Sequence, residues 1–215
     1  MPQPLFLSLD GLDGAGKSTQ CRLLAEWLEK RGVSVTRCAD PGGTEIGDVL
    51  RNLLLDQRRH MTLACEAFLF MASRAQLTAE VIRPALAAGR TVLSDRFLLA
   101  NVVYQGHAGG LDPEQVRSMC LLATEGLEPH LTFVLDLPIE QALARRQGPR
   151  TEWKAGRRTF MRGCEPVSAP RPSAIPTALS LLMPANRWTR STNVFVARWK
   201  VERRRIDFQS VRQVG

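Results

Sequence analysis

Gly11-Leu12-Asp13-Gly14-Ala15-Gly16-Lys17-Ser18 fits the pattern G-x-x-x-x-G-K-[ST], and it confines this chain to a narrow set of folds. The pattern has meaning only between a strand and a helix, and both are legible. Residues 5–9 are an apolar, strand-like run, and residues 19–31 carry Leu23, Leu24, Trp27 and Leu28 at helical spacing. Glycines let backbone N–H groups turn inward around an anion, and the N-terminus of the following helix adds a favourable dipole. In such a loop Lys17 reaches the β- and γ-phosphates of a nucleotide and the Ser18 hydroxyl ligates Mg²⁺, with Thr19 opening the helix.

The rest of the first two thirds repeats the alternation. Strands are predicted over residues 33–38, 90–95 and 131–136, and helices over 44–55, 62–88, 112–125 and 138–146. Asp112 followed by Pro113 is a helix-start signal. The expected fold class is α/β: a P-loop NTPase with a doubly wound parallel β-sheet flanked by helices, which the family resemblance given below narrows to the nucleoside-monophosphate kinase type. Open sheets of this kind bind ligands beyond the carboxyl ends of their strands, where Asp10, Asp40, Asp95 and Asp136 fall.

No run approaches the ~18 apolar residues of a membrane span, and the N-terminus lacks the basic and apolar regions of a signal peptide. The five cysteines are scattered without metal-type spacing. The expectation is a cytoplasmic protein with reduced thiols and no membrane partner. Charge divides the chain. Residues 1–149 carry 15 Lys/Arg against 17 Asp/Glu, whereas residues 150–215 carry 14 against 4. A basic tail can bind nucleic acid, but here the charge jump coincides with a loss of periodicity. Within the tail only residues 193–200 read as a strand.

Further segments follow the loop in a fixed order: Asp40-Pro41-Gly42-Gly43-Thr44, Leu50-Arg51-Asn52-Leu53, Phe70 with Arg74, Asp95-Arg96-Phe97, and Asn101 through Tyr104-Gln105-Gly106. With the P-loop they closely resemble the bacterial thymidylate kinase family, over about residues 3–149. The resemblance implies transfer of a phosphoryl group from ATP, with Mg²⁺, to dTMP, and a homodimer. It assigns Arg51 and Arg96 to the acceptor phosphate, where a planar guanidinium holds two oxygens at once. It gives Phe70 the stack on thymine, Arg74 the base edge, and Asn101, Tyr104 and Gln105 the wall around base and sugar. Asp13 and Asp95 organise Mg²⁺ and acceptor, with Ser18 and Asp95 as the metal side chains. Lys17, Arg96, Asp13 and Asp95 form the catalytic set. Gly14 stands where some members carry an arginine, so the resemblance implies a lid arginine instead, placed at Arg146 beside Arg145. Another nucleoside-monophosphate kinase or a non-catalytic nucleotide-binding protein are the alternative readings.

The tail departs from the family. An Asp-Arg-hydrophobic-Glu lid segment and a Phe-His-Glu-Arg-Val-Arg-x-Gly-Phe helix are missing. Read one base out of register, the codons for residues 151–156 permit Asp-Arg-Met-Glu-Ser-Arg, and those for 158–168 permit Asp-Phe-His-Glu-Arg-Val-Arg-Ala-Gly-Phe. The expectation is therefore a domain over 1–149 and, over 150–215, an atypical basic tail translated out of frame after residues 148–150. Such a tail is expected to be poorly ordered and to lack the lid, the last native strand and the helices that cover the sheet. Weak or absent kinase activity follows.

Overall fold

The computed structural model describes residues 3–56 and 58–135, Ala142, and the backbone of two further strands, 194–198 and 210–213. β1 (Phe6–Gly11) leads through the loop into α1 (Lys17–Glu29), and β2 (Val35–Ala39) follows. α2 (Glu45–Leu55) and α3 (Leu63–Leu77) come next, then α4 (Arg83–Ala87) and β3 (Thr91–Asp95). α5 (Leu98–Asn101), α6 (Pro113–Ala123) and β4 (Leu131–Leu135) complete the first part, and β5 (Val194–Arg198) and β6 (Ser210–Gln213) close the sheet. The strand order is β2-β3-β1-β4-β5-β6, parallel throughout except for β6 against β5.

β1 explains why the sheet is buried on both sides. Leu5, Leu7 and Leu9 face α1 through Cys21, Leu24 and Leu28, whereas Phe6 on the opposite face joins Met71, Leu77, Ile82 and Phe97. Apolar residues at every strand position therefore have a helix to pack against, as parallel sheets require. Polar exceptions on the second face are matched: the Ser8 and Thr132 hydroxyls hydrogen-bond at 2.8 Å. In register, Leu9 lies beside Asp95, and Asp95 beside Ala39. The loops leaving β1, β2 and β3 thus emerge side by side at the carboxyl end of the sheet.

The helix starts are set by side-chain caps. Thr44 accepts from Gly47 N, Thr62 from Cys65 N and Asp112 from Glu114 N, each satisfying an orphan first-turn donor. The single helix expected over 62–88 is interrupted by a wider π turn at Thr78–Ile82. Arg83 N donates to Thr78 O, five residues back, and Pro84, with no N–H, follows at the start of α4. A second π segment, Val102–Ala108, extends α5 through the residues that the sequence marked as a pocket wall.

The strand expected at residues 193–200 is present as β5. It pairs in parallel with β4 from Thr132↔Val194 to Leu135↔Ala197. Val194-Phe195-Val196 has the β-branched and aromatic composition that suits a strand, here between β4 and β6. The helix expected over 138–146, Asp136, and the rest of the tail lie outside the described residues.

Candidate functional site

The loop begins where β1 comes closest to its neighbour. Gly11 has φ 139°, and a Cβ there would lie 2.7 Å from Leu135 O, so only glycine fits. Gly16, at φ 95°, is the N-cap of α1 and brings no side chain to it, so the first N–H groups of the helix are left for a ligand. Lys17 lies beneath the loop. Its Nζ donates to Gly11 O at 3.2 Å and Leu12 O at 3.0 Å, and sits 3.7 Å from Asp13 Oδ1. Burial, aided by nearby Arg96, pushes its pKa down to about 8. An arriving phosphate would add to Asp13 in favouring the ammonium form and raise that pKa again.

Beside the loop the Ser18 hydroxyl donates to Asp95 Oδ2 at 2.5 Å. A hydroxyl and a carboxylate meeting at the phosphate site suit Mg²⁺, a hard cation that takes one or two protein oxygens and completes its shell with water and phosphate. The next residue, Arg96, has φ 72°, unusual for a side-chain-bearing residue. Arg96 N donates to Leu9 O at 2.9 Å and Ser94 Oγ to Arg96 O at 2.6 Å, so the peptide units on both sides of this residue are tied. The twist swings the guanidinium off the strand end to Asp13 Oδ1, 2.6 Å away, and over the Tyr104 ring at 5.2 Å.

The opposite wall is made from side chains. Arg51, on α2, donates to Pro41 O at 2.5 Å, against the loop that follows β2. Phe70 is half-buried on α3, and Arg74 is one turn further along. Arg74, expected at the base edge, lines the cavity and also has protein partners. Its Nε donates to Asp40 Oδ2 at 2.6 Å, and Nη1 points to Cys120 Sγ at 3.2 Å and Met71 Sδ at 3.7 Å. Nη2 reaches Phe97 O at 3.3 Å and Asn101 Oδ1. Arg74 is buried, and its donors are already spent on protein. It holds the wall together first and can meet a ligand only from within that network.

Two members of this network were missed in the sequence. Asp40, buried and the arginine's ion-pair partner at 2.5 Å, was noted only as a strand-end residue. Glu66 accepts from Gln105 Nε2 at 2.6 Å. The signal for it was available: Glu66, Phe70 and Arg74 fall at i, i+4 and i+8 on one stripe of α3. Asp10 lies wholly buried at the end of β1, with no hydrogen-bond partner for either oxygen among the described residues. Burial, partly offset by Arg96 and Lys17, raises its pKa to about 6.

The loop and the opposite wall enclose one cavity of about 1010 Å³. The loop supplies residues 13–19 on one side, and Arg51, Phe70, Arg74, Asn101, Tyr104 and Gln105 supply the other, with Asp95 and Arg96 between. Gly11 and Leu12 form the base of the loop and are not among the lining residues. The size lies at the upper end for a small-molecule site. Arg146 lies outside the described residues. Among the described residues no cluster of three or more His, Cys, Asp or Glu could hold a metal by itself, and no helix is long and apolar enough to cross a membrane.

Comparison with known proteins agrees with this geometry. A family model described as thymidylate kinase matches residues 9–163. The chain is 48% identical over 152 residues to the thymidylate kinase of Desulforudis audaxviator, covering 69% of this chain and 68% of that protein. It is 46% identical over 149 residues to that of Symbiobacterium thermophilum, covering 69% and 70%. Against the thymidylate kinase of Chlorobium luteolum the values are 44% over 142 residues, covering 66% of each. The matched stretch thus spans about two thirds of these relatives. Among solved structures, thymidylate kinase from Ehrlichia chaffeensis superposes with a TM-score of 0.60 at 32% identity, covering 67% of this chain and 82% of that one.

Proposed function

Because the chain belongs to the thymidylate kinase family, we propose that its cavity holds ATP phosphates and dTMP together for transfer of the γ-phosphoryl group to the dTMP phosphate. The observation that carries this reading is the single cavity whose one wall is a phosphate-binding loop and whose other wall is aromatic, amide and arginine. The loop N–H groups and Lys17 take the donor phosphates. Arg96 and Arg51 lie where an acceptor phosphate would approach, and Phe70 offers a face for a base. Ser18 and Asp95 would hold Mg²⁺, which when bound offsets phosphate charge. The protein's contribution is position and charge rather than a strong base, as phosphoryl transfer requires.

Two further parts belong to the reading. Ile46 and Val49 on α2 and Phe68 on α3 are 55%, 65% and 63% exposed, an apolar face that supports a homodimer. Reduced cysteines support a cytoplasmic setting; Cys21, Cys38, Cys65 and Cys120 are unbridged.

The tail governs rate. Gly14 supplies no arginine to the transferring phosphoryl, and the sequence beyond residue 149 lacks the expected lid segment. A missing arginine of this type costs roughly 10³–10⁵ in rate. Calorimetry with dTMP and an ADP-release assay with ATP, Mg²⁺ and dTMP separate the parts. The expected result is dTMP binding with turnover far below the roughly 1–100 s⁻¹ usual for kinases. Turnover in that range overturns the statement about the lid, and absence of dTMP binding overturns the assignment of the site.

A further inference from the structure

Four side chains form a chain of hydrogen bonds along the acceptor wall. Arg74 Nη2 donates to Asn101 Oδ1, Asn101 Nδ2 donates to Gln105 Oε1 at 2.8 Å, and Gln105 Nε2 donates to Glu66 Oε1 at 2.6 Å. The direction of this chain is set at both ends. A guanidinium can only donate, so the amide oxygen of Asn101 must face Arg74. An ionised carboxylate can only accept, so the amide nitrogen of Gln105 must face Glu66. Asn101 and Gln105 are 2% and 1% exposed and both line the cavity, so neither amide can turn over without stranding a buried group.

We propose that Glu66 is a positioning residue for base selection, holding Gln105 and Asn101 so that each amide keeps one N–H over for the ligand. The inference rests on the reading of the cavity as a dTMP site. Spare N–H donors favour a pyrimidine with an oxygen at ring position 4, as in thymine and uracil. They oppose the 4-amino group of cytosine, which is itself a donor. Glu66 lies behind the wall, half-buried on α3 and outside the lining of the cavity, so it acts through Gln105. Phe70, one turn along the same helix stripe, would share the base that the amides read.

The experiment is calorimetric titration of the full chain with dTMP, dUMP and dCMP, each repeated on variants whose fold is checked by thermal melting. The unaltered chain should prefer dTMP over dCMP by at least about tenfold, since a buried mismatch of one hydrogen bond is worth that much. Glu66→Gln can still offer an oxygen to Gln105 and should keep the ratio within about threefold. Glu66→Lys places a donor against a donor, forces Gln105 to turn, and should reduce the ratio about tenfold while binding of an ATP analogue is unchanged. Pairing Glu66→Lys with Gln105→Glu restores an acceptor toward both Lys and Asn101, and the ratio should recover in part. If Glu66→Lys does not fold, Glu66→Ala decides, with an expected loss of about fivefold. A folded Lys or Ala variant with unaltered selectivity overturns this inference alone. Absence of dTMP binding to the unaltered chain overturns the assignment of the site and this inference with it.

Discussion

The two walls of the cavity are built by opposite means. The phosphate wall is contiguous in sequence and consists of backbone: residues 11–18 turn between β1 and α1, and Lys17 is braced by carbonyls five and six residues before it. The base wall is assembled from side chains on α2, α3 and the α5 segment, tied through Asp40 to the loop after β2. Function and stability are consequently separate in the first wall and joined in the second. Lys17 pays in desolvation for its place, whereas Arg74 is both a cavity-lining group and the main polar tie among α3, α5 and the β2 loop.

Substitutions at these two cations test that contrast. The largest effect is expected for Arg74→Ala. It leaves Asp40, buried and with no partner for Oδ1 among the described residues, without its counter-charge. The loss should be about 3–5 kcal/mol in urea unfolding, accompanied by loss of dTMP binding. Lys17→Ala should weaken binding of ATP or its analogues and lower any turnover by about 10²–10³-fold, while stability moves by no more than about 1 kcal/mol. Equal destabilisation by the two variants would erase the distinction between the walls.

Asp10 sharpens the comparison from beneath both walls. Its carboxyl is raised from 3.8 to about 6, mainly by burial, so the native state prefers the protonated form. The favourable contribution is therefore fully present below about pH 3.8 and is lost as pH rises through 6. Asp10→Asn removes that dependence. It should flatten the stability profile between about pH 4 and 6 and stabilise the protein at neutral pH by about 1–3 kcal/mol, as followed by denaturant titration across pH. An unchanged profile would show that Asp10 is solvated or paired in solution.

How much of this was legible in sequence follows the same division. A backbone loop between a strand and a helix leaves a local signature, so residues 11–18 and the strand–helix alternation could be read directly. Arg74 could be recognised as a site residue, yet its actual partners could not. Asp40, Phe97, Asn101 and Cys120 lie 34, 23, 27 and 46 positions away. The π turn at Thr78–Ile82 escaped detection because apolar periodicity continues across it and only Pro84 hinted at a break. Glu66 escaped because an acidic residue near a helix start has an ordinary explanation in the helix dipole.

The sequence alone determined that a phosphate-binding loop sits at the head of a parallel sheet, because that needs only neighbouring residues and their local conformations. It also marked which residue types gather around the loop. Only the tertiary structure decided which of those groups are free and which are spent. The sheet register brings the ends of β1, β2 and β3 together, and α3 packing buries Arg74 among acceptors that no local pattern links to it. Hydrogen-bond donors are finite, so what a site can offer a ligand is what folding leaves over.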